Sequence, residues 1–331
     1  MARILTLSLN PALDLAVGLE TLALGEVNRT ESTRLDAAGK GVNVARVLVA
    51  LGHEVTVSGF LGADNDAPFV RAFTDLGVKD AFLRVPGQTR INAKISERGG
   101  RVTDINGPGA NVNQEAWQQL LDDLDVSARD SMRRPDAVVI AGSLPPGIEP
   151  RDLASLISRL REQGLPVWVD TSGPALTAAI DLLPKACKPS AVKPNEQELA
   201  AWAGATLKSE SARLKAAKRL FDTGIEEALI SAGSDGVLWV SRRGAWLATP
   251  PRVNVVSTVC AGDTLLAAML HGVLIDLPAE ETLRLSTALS ADAVRHVGVG
   301  DPRAEDFDRL QSQTHVRCLE EGNANAKGAF A

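Results

Sequence analysis

Short runs of apolar, often β-branched residues alternate along the chain with stretches whose apolar positions recur at helical spacing. The runs are RILTLSL, EVTVSGFLG, DAVVIAGS, PVWVDTS, SAVKP, EALISAG and GVLWVS, and helix-like segments separate most of them. This alternation predicts an α/β fold with a mainly parallel central sheet and helices on both faces. Two helical stretches are sharply patterned. In residues 42–51, Val44, Val47, Leu48 and Leu51 fall at i, i+3, i+4 and i+7, one apolar face for a sheet. Leu266, Met269, Leu270 and Val273 repeat that spacing, so Ala261, Gly262 and Asp263 are expected at a helix N-terminus, a position suited to anions.

Two stretches break the rhythm. Residues 11–37 and 89–106 read as strands without helices, the second as a hairpin turning at Gly99-Gly100. Together they predict a small sheet covering one edge of the main domain, which spans residues 1–318. The small, polar segment 319–331 is expected to be disordered.

Composition narrows the function. A chain of 331 residues buries a sizeable core. Its 35 Lys+Arg against 41 Asp+Glu give a net charge of −6, which argues against nucleic acid as a partner. Cys187, Cys260 and Cys318 lie far apart, with no His at metal-ligand spacing, so neither a disulfide framework nor a zinc site is expected. Asn10, Pro11 and Asp14 interrupt the apolar N-terminus, which argues against a signal peptide or membrane span. A cytoplasmic protein is expected.

Four segments offer chemistry. At Ala261-Gly262-Asp263, backbone N–H groups entering a helix can hold a negative oxygen, and Asp263 beside them can take a proton from a hydroxyl. Equally, Asp263 is an ordinary helix N-terminal carboxylate. In AAGKGVNVA, Gly39 and Gly41 flank Lys40, and Asn43 follows with a donor and an acceptor, a set suited to a sugar hydroxyl or phosphate. The spacing is neither that of a P-loop nor that of a dinucleotide fingerprint, which disfavours a Rossmann dehydrogenase. GSLPPG, with Ser143, and VKPNEQEL both follow strands, at the edge where open α/β folds bind ligands. In the latter, Asn195 caps a helix beginning with Glu196 and Glu198; the pattern serves capping alone, or Mg²⁺ held through water. SAGSDG, comprising Ser231, Ala232, Gly233, Ser234, Asp235 and Gly236, joins two strands by a turn able to pass under a nucleotide.

Gly39, Gly41, Asn43, Ala45, Gly52 and Gly62, followed far downstream by Ser257-Thr258-x-x-Ala-Gly-Asp, resemble the two signatures of the ribokinase-like sugar kinases, which include the minor phosphofructokinases. The resemblance runs from TLSLNPALD to VVSTVCAGD, nearly the whole chain. It implies a ribokinase-like fold: a large α/β domain carrying the site and a small β lid, here residues 11–37 and 89–106, that often pairs with a second lid in a homodimer. It implies ATP and Mg²⁺, with Asp263 as catalytic base and Cys260, Ala261 and Gly262 as an anion hole. Asp14, Gly39 and Asn43 would hold sugar hydroxyls, with Ser143 a further sugar ligand. Arg90, whose guanidinium fork matches phosphate oxygens, is the candidate for a phosphate on the sugar, shared with Lys40. Lys193, Asn195 and Glu196 would face the ATP phosphates and Mg²⁺, and residues 231–236 would flank the nucleotide.

The expected reaction is phosphorylation of fructose 1-phosphate to fructose 1,6-bisphosphate. Fructose 6-phosphate and tagatose 6-phosphate are rival acceptors, because a ketofuranose has a CH₂O group at each end. A catalytically weak sugar-phosphate binding protein is the alternative of another class, although Asp263 is present. Cys260 departs from the family, which usually has Gly there. A negative φ is expected at Cys260, leaving its N–H free to bind phosphate at little cost.

Overall fold

Every residue of AVVIA (137–141) and VWVD (167–170) is buried, and burial on both faces explains why these runs lack polar alternation. The structure, a computed structural model, describes residues 1–322. In chain order the strands are β1 (Arg3–Ser8), β2 (Ala12–Leu19), β3 (Ser32–Ala38), β4 (Glu54–Gly62), β5 (Lys79–Val85), β6 (Arg90–Glu97) and β7 (Val102–Asn106). They continue with β8 (Ala137–Ala141), β9 (Val167–Asp170), β10 (Ala191–Val192), β11 (Glu227–Ser231), β12 (Val237–Ser241), β13 (Gly244–Thr249) and β14 (His315–Glu321). The helices are α1 (Lys40–Ala50), α2 (Ala67–Leu76), α3 (Gln114–Arg129), α4 (Pro150–Glu162) and α5 (Gly173–Asp181), then α6 (Glu196–Ala203), α7 (Glu210–Asp222), α8 (Ala261–Leu274), α9 (Ala279–Ala293) and α10 (Phe307–Gln313).

Ten strands form the main sheet in the order β14-β13-β12-β11-β10-β9-β8-β1-β4-β5. Pairing is parallel from β11 to β5 and antiparallel through β12, β13 and β14. Successive residues point to opposite faces. Leu5 and Leu7 of β1 thus enter a core with α3, α4 and α5, while Ile4 enters a second core with α1, α8 and α9. The expected α/β class, parallel sheet and flanking helices are all present.

The two stretches without helices form a separate four-stranded sheet, β3-β2-β6-β7, with β2 and β6 parallel and the outer pairs antiparallel. Its register sorts the side chains by face. Asp14 pairs with Asp36 and Asn92, and Lys94 with Asp104, on the polar face; Leu15 pairs with Leu35, Val17 with Ile95 and Ala93 with Ile105 on the apolar one.

One boundary differs from expectation. β14 continues to Glu321, past residue 319, because antiparallel pairing with β13 and the ion pairs Lys218–Glu320 and Arg317–Glu210 hold it. The rest of the expected tail, residues 323–331, lies outside the described residues.

Candidate active site

α8 begins at Ala261, so the N–H groups of its first residues have no intrahelical acceptor. Cys260, just before it, has φ 68° and ψ −8°, the left-handed region, and not the negative φ expected. The chain turns there so that the Cys260 carbonyl accepts the Thr264 N–H at 2.9 Å, closing the first helical turn. A Cβ in this conformation costs about 1–2 kcal/mol. Burial, then Asp263, pushes the thiol up to about 12, so it stays protonated at neutral pH.

Asp263 is buried in the first turn of α8, and Asn43 Nδ2 on α1 donates to its Oδ2 at 2.8 Å. The packing of α1 against α8 therefore brings together residues 220 positions apart. Burial, then the negative charge of Asp170, pushes the Asp263 carboxyl up to about 6; Lys40, Asn43 and Lys193 pull the other way. A carboxylate with this affinity is ionised at neutral pH yet basic enough to receive a proton.

Asp170 ends β9 and is fully buried. Lys40 Nζ lies 3.1 Å from one of its oxygens and Lys193 Nζ 3.3 Å from the other. Burial disfavours its charge, but the two lysines outweigh that and hold its pKa below the ordinary value. Lys193, expected to face a nucleotide phosphate, is itself buried. Its Nζ lies 3.0 Å from where a Cβ on Gly262 would stand, so glycine leaves room for the ammonium beside the turn. The sequence reading missed Asp170, although a lone acid ending an apolar run is the signal that pointed to it.

On the side of the small sheet, Gly39 precedes α1 with φ 132°, and a Cβ there would meet Pro11 Cα at 3.2 Å. Asp14 accepts from Asn92 Nδ2 at 3.2 Å and pairs with Lys94 at 3.0 Å. Lys94 and Arg46 are the cations acting on the Cys260 thiol from this side, and neither was singled out from sequence. Arg90, expected at the sugar phosphate, opens β6. Its guanidinium donates to the carbonyls of Pro11, Gly107 and Asn10, and to Ser143 Oγ at 3.3 Å. Ser143 Oγ also accepts from Asn10 Nδ2. The fork thus ties the start of β6 to the main domain, where burial lowers its pKa.

At the end of β10, Asn195 caps α6 with its side-chain oxygen on the Glu198 N–H, while Glu198 accepts from the Asn195 N–H. Glu196 turns to Arg213 at 2.8 Å, which also binds Asp235 at 2.9 Å. Glu198, not Glu196, is the carboxylate whose charge reaches Lys40. Lys40 loses hydration by burial, but Asp170, Asp263 and Glu198 more than compensate, and its pKa is raised. Ser231 bridges to Asn195, so Ser231, Ala232, Gly233, Ser234, Asp235 and Gly236 line the same sheet edge, with Gly233, Ser234 and Asp235 exposed. No group of three or more His, Cys, Asp or Glu with metal-binding geometry occurs among the described residues.

The profile of the pfkB family of carbohydrate kinases matches residues 8–306. The chain is 44% identical over 321 residues to the 1-phosphofructokinase of Vibrio cholerae, covering 96% of this chain and 97% of that protein. It is 43% identical over 298 residues to the 1-phosphofructokinase of Escherichia coli, covering 90% and 93%. Phosphofructokinase-2 from E. coli, solved in complex with potassium, superposes with TM-score 0.84 at 29% identity, covering 94% of this chain and 99% of that one. The same enzyme in complex with fructose-6-phosphate gives 0.83 at 28% identity and the same coverage.

Proposed function

The chain belongs to the pfkB family of carbohydrate kinases, and from that footing we propose that it transfers the γ-phosphoryl group of ATP to the 6-hydroxyl of fructose 1-phosphate. The observation that carries this reading is Asp263: a buried carboxylate at a helix N-terminus, aimed by Asn43 and basic enough to act near neutral pH. The sugar oxygen attacks the γ-phosphorus, the bond to the β,γ-bridging oxygen breaks, and the hydroxyl proton passes to Asp263. The N–H groups at Ala261 and Gly262 and the Lys193 ammonium meet the charge that builds on the transferring group.

Asp14, Asn43 and Gly39 are assigned to the sugar. Arg90 is assigned to the sugar phosphate, with Lys40 and Lys94, each already paired with one carboxylate, as the further cations on offer. Residues 231–236 are assigned to the nucleotide. Mg²⁺ bound with ATP would neutralise phosphate charge, and Glu198, Asn195 and Glu196 are the groups to hold it through water. Their donor set, two carboxylates and an amide oxygen, is one of hard oxygen ligands and suits that ion. The sheet β3-β2-β6-β7 is read as a lid whose polar face covers the sugar and whose apolar face meets a second copy. Use of ATP and three unpaired cysteines support a cytoplasmic location.

ADP release measured side by side with fructose 1-phosphate, fructose 6-phosphate and tagatose 6-phosphate tests the proposal. The highest kcat/KM is expected with fructose 1-phosphate. A higher value with either rival reassigns the acceptor, and no turnover with any of them overturns the kinase reading.

A further inference from the structure

Asp170 has no part in the reaction as described, yet its side chain is only 2% exposed at the carboxyl end of the sheet. A lone carboxylate there would lose its hydration and take up a proton rather than stay charged. Lys40 and Lys193 prevent this from two different elements, Lys40 opening α1 and Lys193 following β10. Lys193 lies against Gly262 in the anion-binding turn. Lys40 shares α1 with Asn43, the residue that aims Asp263. Among the described residues Asp170 is the acid paired with both cations.

Two ammonium groups stand beside the buried carboxylates Asp170 and Asp263, from β9, α1, α8 and the segment after β10, and the charge of Glu198 also reaches Lys40. Without Asp170, both lysines and the positive end of α8 would act on Asp263 with only Glu198 offsetting Lys40, favouring its ionised form and making it a poorer proton acceptor.

We propose that Asp170 is a positioning residue: it holds Lys40 and Lys193 in place beside the anion-binding turn and offsets their charge where Asp263 acts as base. This rests on the reading of Asp263 as base. The groups acting on Asp263 are Asp170 from β9, Lys40 and Asn43 from α1, and Lys193; Cys260 beside it stays neutral. The rival account is a buried ion-pair network that serves the fold alone.

The two accounts separate in a titration. In full-length protein labelled with ¹³C-aspartate, the Asp263 carboxyl signal is identified by its loss in Asp263→Asn and followed with pH. Asp170→Asn is expected to lower its midpoint by about one pH unit or more, and Lys40→Met to raise it. The acid limb of kcat is expected to move in the same two directions, and Asp170→Glu to restore part of the wild-type profile. An Asp263 midpoint unchanged in both Asp170→Asn and Lys40→Met overturns the proposal. If Asp170→Asn does not fold, Lys40→Met decides: a raised midpoint supports the offset, an unchanged or lowered one refutes it. The titration needs no substrate, so wild-type protein inactive toward every sugar phosphate would overturn the proposed function and leave this test standing.

Discussion

Cys260 stands at φ 68°, where a side chain is strained, one residue before the N–H groups proposed to hold phosphate. The departure from Gly was legible in the sequence; the sign of φ was not, because it is set by how the turn feeds α8. Cys260→Gly removes about 1–2 kcal/mol of strain and adds about 0.5–1 kcal/mol of unfolded-chain entropy. A modest rise in melting temperature is expected, with kcat changed less than about tenfold. A collapse of kcat would give the thiol a role that its neutral, buried state does not explain. At Asp263 the chemistry itself is at stake. Asp263→Asn is expected to retain sugar-phosphate binding by calorimetry and to lose on the order of 10²–10⁴ in kcat. In the wild type, kcat is expected to fall on the acid side with a midpoint near 6, as the buried carboxyl takes up its proton.

At the scale of elements, the small sheet was legible in part. Its strands announced themselves as β patterns with no following helix, and Gly99-Gly100 marked the hairpin between β6 and β7. The parallel pairing of β2 with β6 left no local trace, because the two strands are joined by about seventy residues that build α1 to β5. The protein partners of Arg90 were hidden for a related reason. Its carbonyl partners, Asn10 and Pro11 on one segment and Gly107 on another, meet it only in the fold. Arg90→Ala strands those half-buried acceptors, at up to about 1–3 kcal/mol for one left unsatisfied, so a lower melting temperature is expected. A variant with native stability and only a raised sugar-phosphate KM would leave the guanidinium to the phosphate alone. The apolar face makes its own demand. Leu35, Ile91 and Ile105 are 44, 45 and 58% exposed on one side of a single sheet, a contiguous apolar surface of the kind that marks an interface. Ile105→Lys is expected to shift light-scattering mass from dimer toward monomer; a wild-type monomer at micromolar concentration would remove the lid–lid pairing.

At the scale of the whole molecule, the parallel sheet was legible because two-sided burial writes continuous apolar runs, whereas contacts between distant elements were not. The pair His53–His271 is such a contact. His53 Nδ1 accepts the Ala2 N–H at 3.2 Å and its Nε2 lies 2.8 Å from His271 Nδ1, so the chain start, the turn before β4 and the last turn of α8 are joined by two neutral rings. Burial, then His271, pushes His53 down to about 4, and burial also lowers His271. The unfolded chain therefore binds more protons than the folded one between about pH 6.5 and 4, and this pair's contribution to stability is lost as pH falls through that window. Asp263 works with the opposite sign. Its carboxyl is near 6 when folded against an ordinary value of 3.8, so the folded state binds more protons, and its burden on stability is relieved as pH falls from about 6 to 4. Glu227, buried against Trp239 and pushed up to about 7, adds to that second effect from higher pH. The two effects oppose one another across this range in the wild type. Asp263→Asn weakens one effect and His53→Gln the other: melting temperature falls more steeply than wild type on acidification in the first variant, and rises relative to wild type in the second. Parallel curves for all three proteins between pH 7 and 4 would show that neither group changes its proton affinity on folding.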